Sequence, residues 1–261
     1  MNWLWKRVKW NKRRRNIDMG NAIKIRVKTL ANLFVGGNPR PFEIGGIDQW
    51  TAVDEEGFPC IPASSWKGAI RAIVQADDSD VAKEIAQWYE EMLEAEKQEA
   101  QKWIEKLCSE ERQRDYQEEK ERIEKRYTEA IDAASACYLF GIREFNNTPK
   151  LLFNDLRLRE ECRDLKKCFS IDAKTSIDCS GTEPKSNPRT YKAVRKGMEF
   201  DGEIEFYHFD EEICQKCKKY LIQNLEKFND GIYRLGGSKS RGYGKIHVSI
   251  LEDGREDSEE L

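Results

Sequence analysis

From Asp78 to Ala134 the chain contains neither proline nor glycine. Along it Ile85, Trp88, Tyr89, Met92, Leu93, Trp103, Ile104 and Leu107 recur at helical spacing. Ile123, Tyr127 and Ile131 resume the pattern after the polar run "CSEERQRDYQEEKE". A narrow apolar stripe on a Glu-rich surface is the mark of an amphipathic helix. The segment is expected to form two long helices, or one bent helix, with the stripe packed against its own partner. The flanking sequence reads differently, which makes 78–134 an inserted helical lobe within another architecture.

That architecture is written in short apolar runs. "AIKIRVKT" alternates from Ile23 to Val27 and predicts a strand, and "NPRPFEIGGIDQW" downstream is a loop. Pro59 and Pro62 keep "FPCIP" extended. A helix is expected to follow, with Ser64 or Ser65 as its N-cap and Trp66, Ile70 and Val74 on one face. Beyond the lobe, "KLLFNDLRL" and "EFDGEIEFYHF" predict strands. "DEEICQKCKKYLIQNLEKF" predicts a helix with Ile213, Cys217, Leu221 and Leu225 on its stripe, and "KIHVSIL" a last strand. Residues 169–198 are polar, hold two prolines and are too long for a tight connection, so they are expected to form a functional excursion or a mobile loop. The class is α+β with a mostly antiparallel sheet. The core is expected over 19–251, between a basic extension at 1–18 and an acidic tail at 252–261.

With 45 Lys and Arg against 48 Asp and Glu, the net charge of -3 announces no nucleic-acid binder. The distribution says more. Lys6, Arg7, Lys9, Lys12, Arg13, Arg14 and Arg15 stand together without an acid, while "EDGREDSEEL" is almost wholly acidic. The basic run reads either as a tail upstream of a start at Met19 or as an arm that touches phosphates. No stretch approaches the roughly 20 apolar residues of a membrane span, and no apolar signal region is present. A cytoplasmic chain without a membrane partner is expected. Its eight cysteines are expected as free thiols. "CQKC" at Cys214–Cys217 is the only CxxC. Zinc would need Cys162 and Cys168 brought beside that pair, because His208 and His247 are the only histidines, and zinc is not expected.

The stretch "YRLGGSKSRGYGKIHV" carries a glycine loop. It is not a Walker A loop, since Tyr243 stands where that motif needs lysine, and a strand rather than a helix follows it. Glycines let successive N–H groups converge on an anion, and Ser238, Lys239, Ser240 and Arg241 add donors and charge beside Gly236 and Gly237. The same glycines also serve a tight turn that needs positive φ. Both readings stay open on the residues alone.

"LGGSKSRGYGKI" resembles the C-terminal glycine-rich loop of the RAMP superfamily of CRISPR-associated proteins. "GFPCIPASSWKGAIRAIV" is similar to that family's "IPGSSLKGALR" stretch, with Ala63 in place of Gly and Trp66 in place of Leu. "ACYLFG" resembles its Leu-Phe-Gly element. "SIDCSGTEPKSNPRTYKAVRKGMEFDGEIEF" resembles the segment that runs through an Ile-Asp motif and an arginine to a strand. Four motifs in the same order cover most of 23–251, leaving 78–134 and the first 18 residues unmatched. The nearest likeness is to the repeated backbone subunit of type III (Csm/Cmr) effector complexes.

That resemblance implies a modified RRM-like (ferredoxin-like) fold. It also implies subunits that self-associate along a guide crRNA, with other subunits of the complex and a complementary target RNA as partners. A β-hairpin thumb, for which 169–198 is the candidate, would kink the guide–target duplex at intervals. "IGGIDQW" is similar to the element that carries a single catalytic aspartate, here Asp48, with Mg2+ or a similar divalent cation at the same residue. Read from chemistry alone, Asp48 is a turn-capping residue, and Asp172 and Asp178 repeat the Ile-Asp pair inside the thumb candidate. Lys67 and Arg71 lie one helical turn apart and can face one phosphate row. The N–H groups at that helix start would add to an anion site. Arg189 and Lys192 are placed to touch RNA from the thumb. A ribonuclease needs no Ser or Cys nucleophile, since RNA brings its 2′-OH. The competing readings are a structural guide-holder in which Asp48 is idle, a guide-processing nuclease, and a protein-interaction module built on the lobe. The resemblance disfavours the second, because those relatives commonly use a histidine near the first helix, and neither His208 nor His247 lies there.

Overall fold

The computed structural model describes residues 22–37, 47–107, 113–178 and 185–251. The basic extension, Met19, Cys108, Cys179 and the acidic tail lie outside the described residues. In chain order the elements are β1 (Ala22–Thr29), β2 (Gln49–Trp50), β3 (Cys60–Ile61), α1 (Ala63–Gln75), α2 (Asp80–Leu107), α3 (Gln113–Asp132), β4 (Lys150–Phe153), β5 (Leu156–Leu158), β6 (Phe169–Asp178), β7 (Lys185–Val194), β8 (Glu199–Tyr207), α4 (Glu211–Glu226) and β9 (Ile246–Leu251). Short 3-10 turns lie at Ala136–Phe140, Glu160–Cys162 and Lys239–Arg241.

β1 buries Ile23, Ile25 and Val27, and the alternation that does so turns Lys24, Arg26 and Lys28 the other way. It runs antiparallel between β8 and β9. On the far side of β8, β4 and β5 form one broken line. Lys150 to Phe153 face Tyr207 to Ile204, and Arg157 and Leu158 face Asp201 and Phe200. The break at Asn154–Asp155 frees Asp155 to accept the N–H of Ala63 at 2.7 Å. With β4 and β5 counted together, the order is β4/β5–β8–β1–β9, with α1 leaving β1 and α4 joining β8 to β9. This is the split βαββαβ connectivity of ferredoxin-like sheets, with β3 added at the β5 edge.

Two helices cover one face. α1 buries Trp66, Ile70, Ile73 and Val74. It starts at Ala63 directly after Pro62 and has no side-chain cap, which corrects the expected serine cap. Pro62 ends the extended run, so Ser64 and Ser65 already lie inside the first turn, and the Asp155 carboxylate takes up a helix-start N–H instead. α4 buries Cys214 and Cys217 with Tyr220, Leu221 and Leu225, while Ile213 is only half-buried. Trp66 stacks on Phe228 at 5.4 Å between ring centroids, closing the core between the helices.

The stretch without proline or glycine forms two helices, α2 and α3, packed on each other. Ile85, Tyr89 and Leu93 are buried with Ile123 and Tyr127. The base of the pair is anchored to the sheet end. Tyr89 donates its hydroxyl to the Pro149 carbonyl at 2.8 Å, Trp88 stacks on Phe209, and Lys216 of α4 pairs with Glu84 at 2.7 Å. The stripe thins outward, where Trp103 is exposed. No described helix is long and apolar enough to cross a membrane.

The other face of the sheet carries a charge ladder. The register sets Arg26 opposite Asp201 and Lys28 opposite Glu199, and the pairs close at 2.8 and 3.0 Å. Arg159 reaches across to Glu199 at 2.9 Å. These are cross-strand ion pairs rather than the exposed rings on which RRM sheets stack bases. Burial alone would push the Glu199 carboxyl up, but the hydrogen bonds and charges of Lys28 and Arg159 outweigh it and hold its pKa below the usual carboxylate range. A depressed carboxyl adds stability above its unfolded pKa and loses it as pH falls through the folded one. Glu199→Gln is therefore expected to melt below wild type near neutral pH. The gap should close once the pH drops below the carboxylate range; a gap that persists in acid would contradict this.

Candidate nucleic-acid interface

The excursion 169–198 is a hairpin. β6 and β7 pair antiparallel from Phe169↔Val194 to Asp178↔Lys185, and the tip lies outside the described residues. β2 joins β7 in parallel, with Gln49 opposite Tyr191 and Trp50 opposite Lys192. That short pairing delivers the loop of Asp48 to the hairpin. The Asp48 Oδ2 atom accepts the Thr190 N–H at 2.6 Å, and the Trp50 indole N–H donates to the Ile47 carbonyl at 3.1 Å. A carboxylate thus sits on the hairpin next to the exposed Arg189. The Lys192 Nζ lies 4.5 Å from the Trp50 ring centre and 4.1 Å from that of Phe169. The rings hold its charge by cation–π attraction and fix it near the same edge.

The glycine loop closes beside this hairpin. Gly236 and Gly244 have φ of 77° and 76°, and their backbones press on the chain next to them. The Gly237 N–H bonds the Phe34 carbonyl at 2.7 Å, Gly244 bonds Asn32 at 2.9 Å, and Leu235 bonds Gly244 at 2.9 Å. The glycines therefore perform the tight turn. The N–H groups of Gly237 and Gly244 are bonded within the protein, and the side chains of Lys239, Ser240 and Arg241 are exposed. Ser238 begins the 3-10 turn in a left-handed conformation with φ of 57°.

Asp172 joins loop and hairpin. Its carboxylate accepts from the Tyr243 hydroxyl, from Asn32 Nδ2 at 3.0 Å and from Ser170 Oγ at 2.7 Å. Burial and the Asp172 carboxylate both push the Tyr243 pKa well above its ordinary value, so the hydroxyl stays a donor. Asp172 is thereby a clamp between β6, the segment after β1 and the glycine loop. The sequence offered only a repeated Ile-Asp pair as its signal.

A second group gathers on α1. Lys67 is half-buried with its Nζ 6.0 Å from the Phe153 ring centre, and Arg71 is exposed one turn on. Burial lowers the Lys67 pKa, and the positive charges of Arg71 and Lys150 lower it further. Lys150 is a residue that sequence reasoning missed. Nothing in "TPKLLF" marks it until β4 is laid beside α1.

Among the described residues, no three His, Cys, Asp or Glu side chains gather as a metal-binding set. Asp48 offers one carboxylate, which fits a hard ion held largely by water and substrate phosphates. Cys214 and Cys217 face the core, and burial pushes the Cys217 thiol up to about 12.

A βαββαβ sheet with a clamped hairpin and a glycine loop defines a protein class that sequence comparison resolves. The model of the RAMP superfamily matches residues 26–247, and the chain belongs to that superfamily. It is similar to a Methanocaldococcus jannaschii protein named CRISPR system Cms endoribonuclease Csm3, at 26% identity over 225 residues, 84% of this chain and 75% of that one. Among solved structures it is similar to a chain of a type III-B Cmr-beta complex bound to cognate target RNA, at 16% identity and a TM-score of 0.48. That match covers 89% of this chain, which spans 61% of the length of the other. Cmr6 from Pyrococcus furiosus is similar at 18% identity and a TM-score of 0.42, over 87% of this chain and 98% of that one.

Proposed function

We propose that this chain is a guide-RNA-binding backbone subunit of a type III CRISPR effector complex that cleaves RNA paired to its guide. The observation that carries the reading is the seating of Asp48 on the hairpin, where the backbone of Thr190 holds its carboxylate. Copies of the chain line up along a crRNA in the cytoplasm, beside other subunits. Base pairing reads the target sequence, and the protein holds phosphates. The α1 cations and the exposed end of the glycine loop hold the guide, and Arg189 meets the duplex from the hairpin.

Where the hairpin parts the duplex, the 2′-oxygen of one target nucleotide attacks its own 3′-phosphorus in line, the P–O5′ bond breaks, and solvent water protonates the departing 5′-oxygen, leaving a 2′,3′-cyclic phosphate and a 5′-hydroxyl. Asp48 accepts the 2′-OH proton, or orients the attacked phosphate while solvent water takes that proton. A divalent ion held there by Asp48 and RNA phosphates would relieve charge on the phosphorane oxygens. Lysines and arginines bring the strands in and neutralise them. Family membership and the relative named an endoribonuclease support this reading. The Thr190 bond also favours a second reading, in which Asp48 only caps the hairpin and the subunit holds the guide without cutting.

Both readings require guide protection. Purified full-length protein with crRNA should shield the guide from added nuclease in evenly spaced blocks. An unprotected guide would contradict guide holding itself.

A further inference from the structure

The edge of the sheet beside α1 carries residues that the account above leaves unused. Lys150 opens β4 in register with Tyr207, the last residue of β8. Its Nζ lies 5.6 Å from the Tyr207 ring centre and donates to the Asn146 carbonyl at 2.7 Å, which holds it in place. Tyr207 stacks on His208, with centroids 3.8 Å apart and planes 14° from parallel. His208 is exposed and holds φ of 61°, a left-handed conformation uncommon outside glycine. Such a conformation persists only where the surroundings impose it, and here it lays the imidazole flat on tyrosine. At the other end of β4, Lys67 stands over Phe153, with Arg71 a turn away. The positive charges of Arg71 and Lys150 both act on Lys67. Like charges gathered beside an exposed imidazole stacked on a half-buried tyrosine do not help folding. They match a polymer that alternates anionic phosphates with flat bases.

We propose that Lys150 joins Lys67 and Arg71 to seat consecutive phosphates of single-stranded RNA, and that the Tyr207–His208 stack carries one of its bases. The inference rests on the guide-binding reading and adds residues to its track.

The test measures the affinity of the full chain for a labelled single-stranded oligoribonucleotide across a salt series, for wild type, Lys150→Gln, Lys150→Arg and His208→Ala, with melting curves as a check on folding. Each phosphate contact to a single strand contributes about 0.7 to the slope of log affinity against log salt. Lys150→Gln is expected to lower the slope by about that amount and Lys150→Arg to keep it. His208→Ala should weaken binding roughly tenfold with the slope unchanged, as loss of one stacked base does. A wild-type slope in Lys150→Gln overturns the seat, and wild-type affinity in His208→Ala overturns the base platform. In either case wild-type RNA binding leaves the guide-binding reading standing. Absence of RNA binding by wild type overturns both together. If Lys150→Gln melts early, Lys150→Met, which keeps the length of the stem and removes the charge, decides the phosphate seat by the same slopes.

Discussion

Gly244→Ala should destabilise the protein by about 3 kcal/mol or more. Gly244 holds φ of 76°, and a Cβ built there would lie 2.0 Å from the Leu235 carbonyl oxygen. Backbone cannot swing aside like the end of a long side chain. Relief requires the loop to open, which breaks the Gly244 bond to Asn32 and the Leu235 bond to Gly244. Tyr243 would then be dragged from Asp172, and the hairpin would lose its clamp. Gly242→Ala is the control. Its φ is 91°, but nothing lies within 4 Å of the added Cβ, so it should show only the strain of a left-handed alanine, roughly 1 to 2 kcal/mol. Urea denaturation of both variants measures the difference. Equal stability of Gly244→Ala and wild type would mean that the loop does not pack as described.

Much of the fold was legible because its signals are local. Alternation in "AIKIRVKT" marked β1, and the proline- and glycine-free run marked the helical pair, since period and breakers act within a few residues. The start of α1 was misplaced because the group that takes up its first N–H, Asp155, is contributed from far along the chain. The break between β4 and β5 was hidden for the same reason, as "KLLFNDLRL" reads as one strand until Asp155 has a task elsewhere.

The candidate site divides in the same way. Gly236, Gly237 and the α1 cations stood in motifs whose spacing is short. Asp172 and Lys150 gain their roles only through tertiary neighbours: Asp172 from Asn32 and Tyr243, and Lys150 from α1 and Tyr207. The pairing of β2 with β7, which sets Asp48 on Thr190, joins segments about 140 residues apart. Resemblance singled out Asp48, and no periodicity in the sequence could have said where its carboxylate would sit.

The most direct measurement of the account is cleavage of a labelled RNA complementary to the bound guide, with and without Mg2+, by wild type and Asp48→Ala. Wild type should give evenly spaced products that depend on the ion. Asp48→Ala should bind guide and target equally well yet cut the target more slowly, by on the order of a hundredfold or more. Target RNA cut at the same positions and rates by Asp48→Ala, or protected and uncut by both proteins, would contradict the assignment of cleavage to this carboxylate.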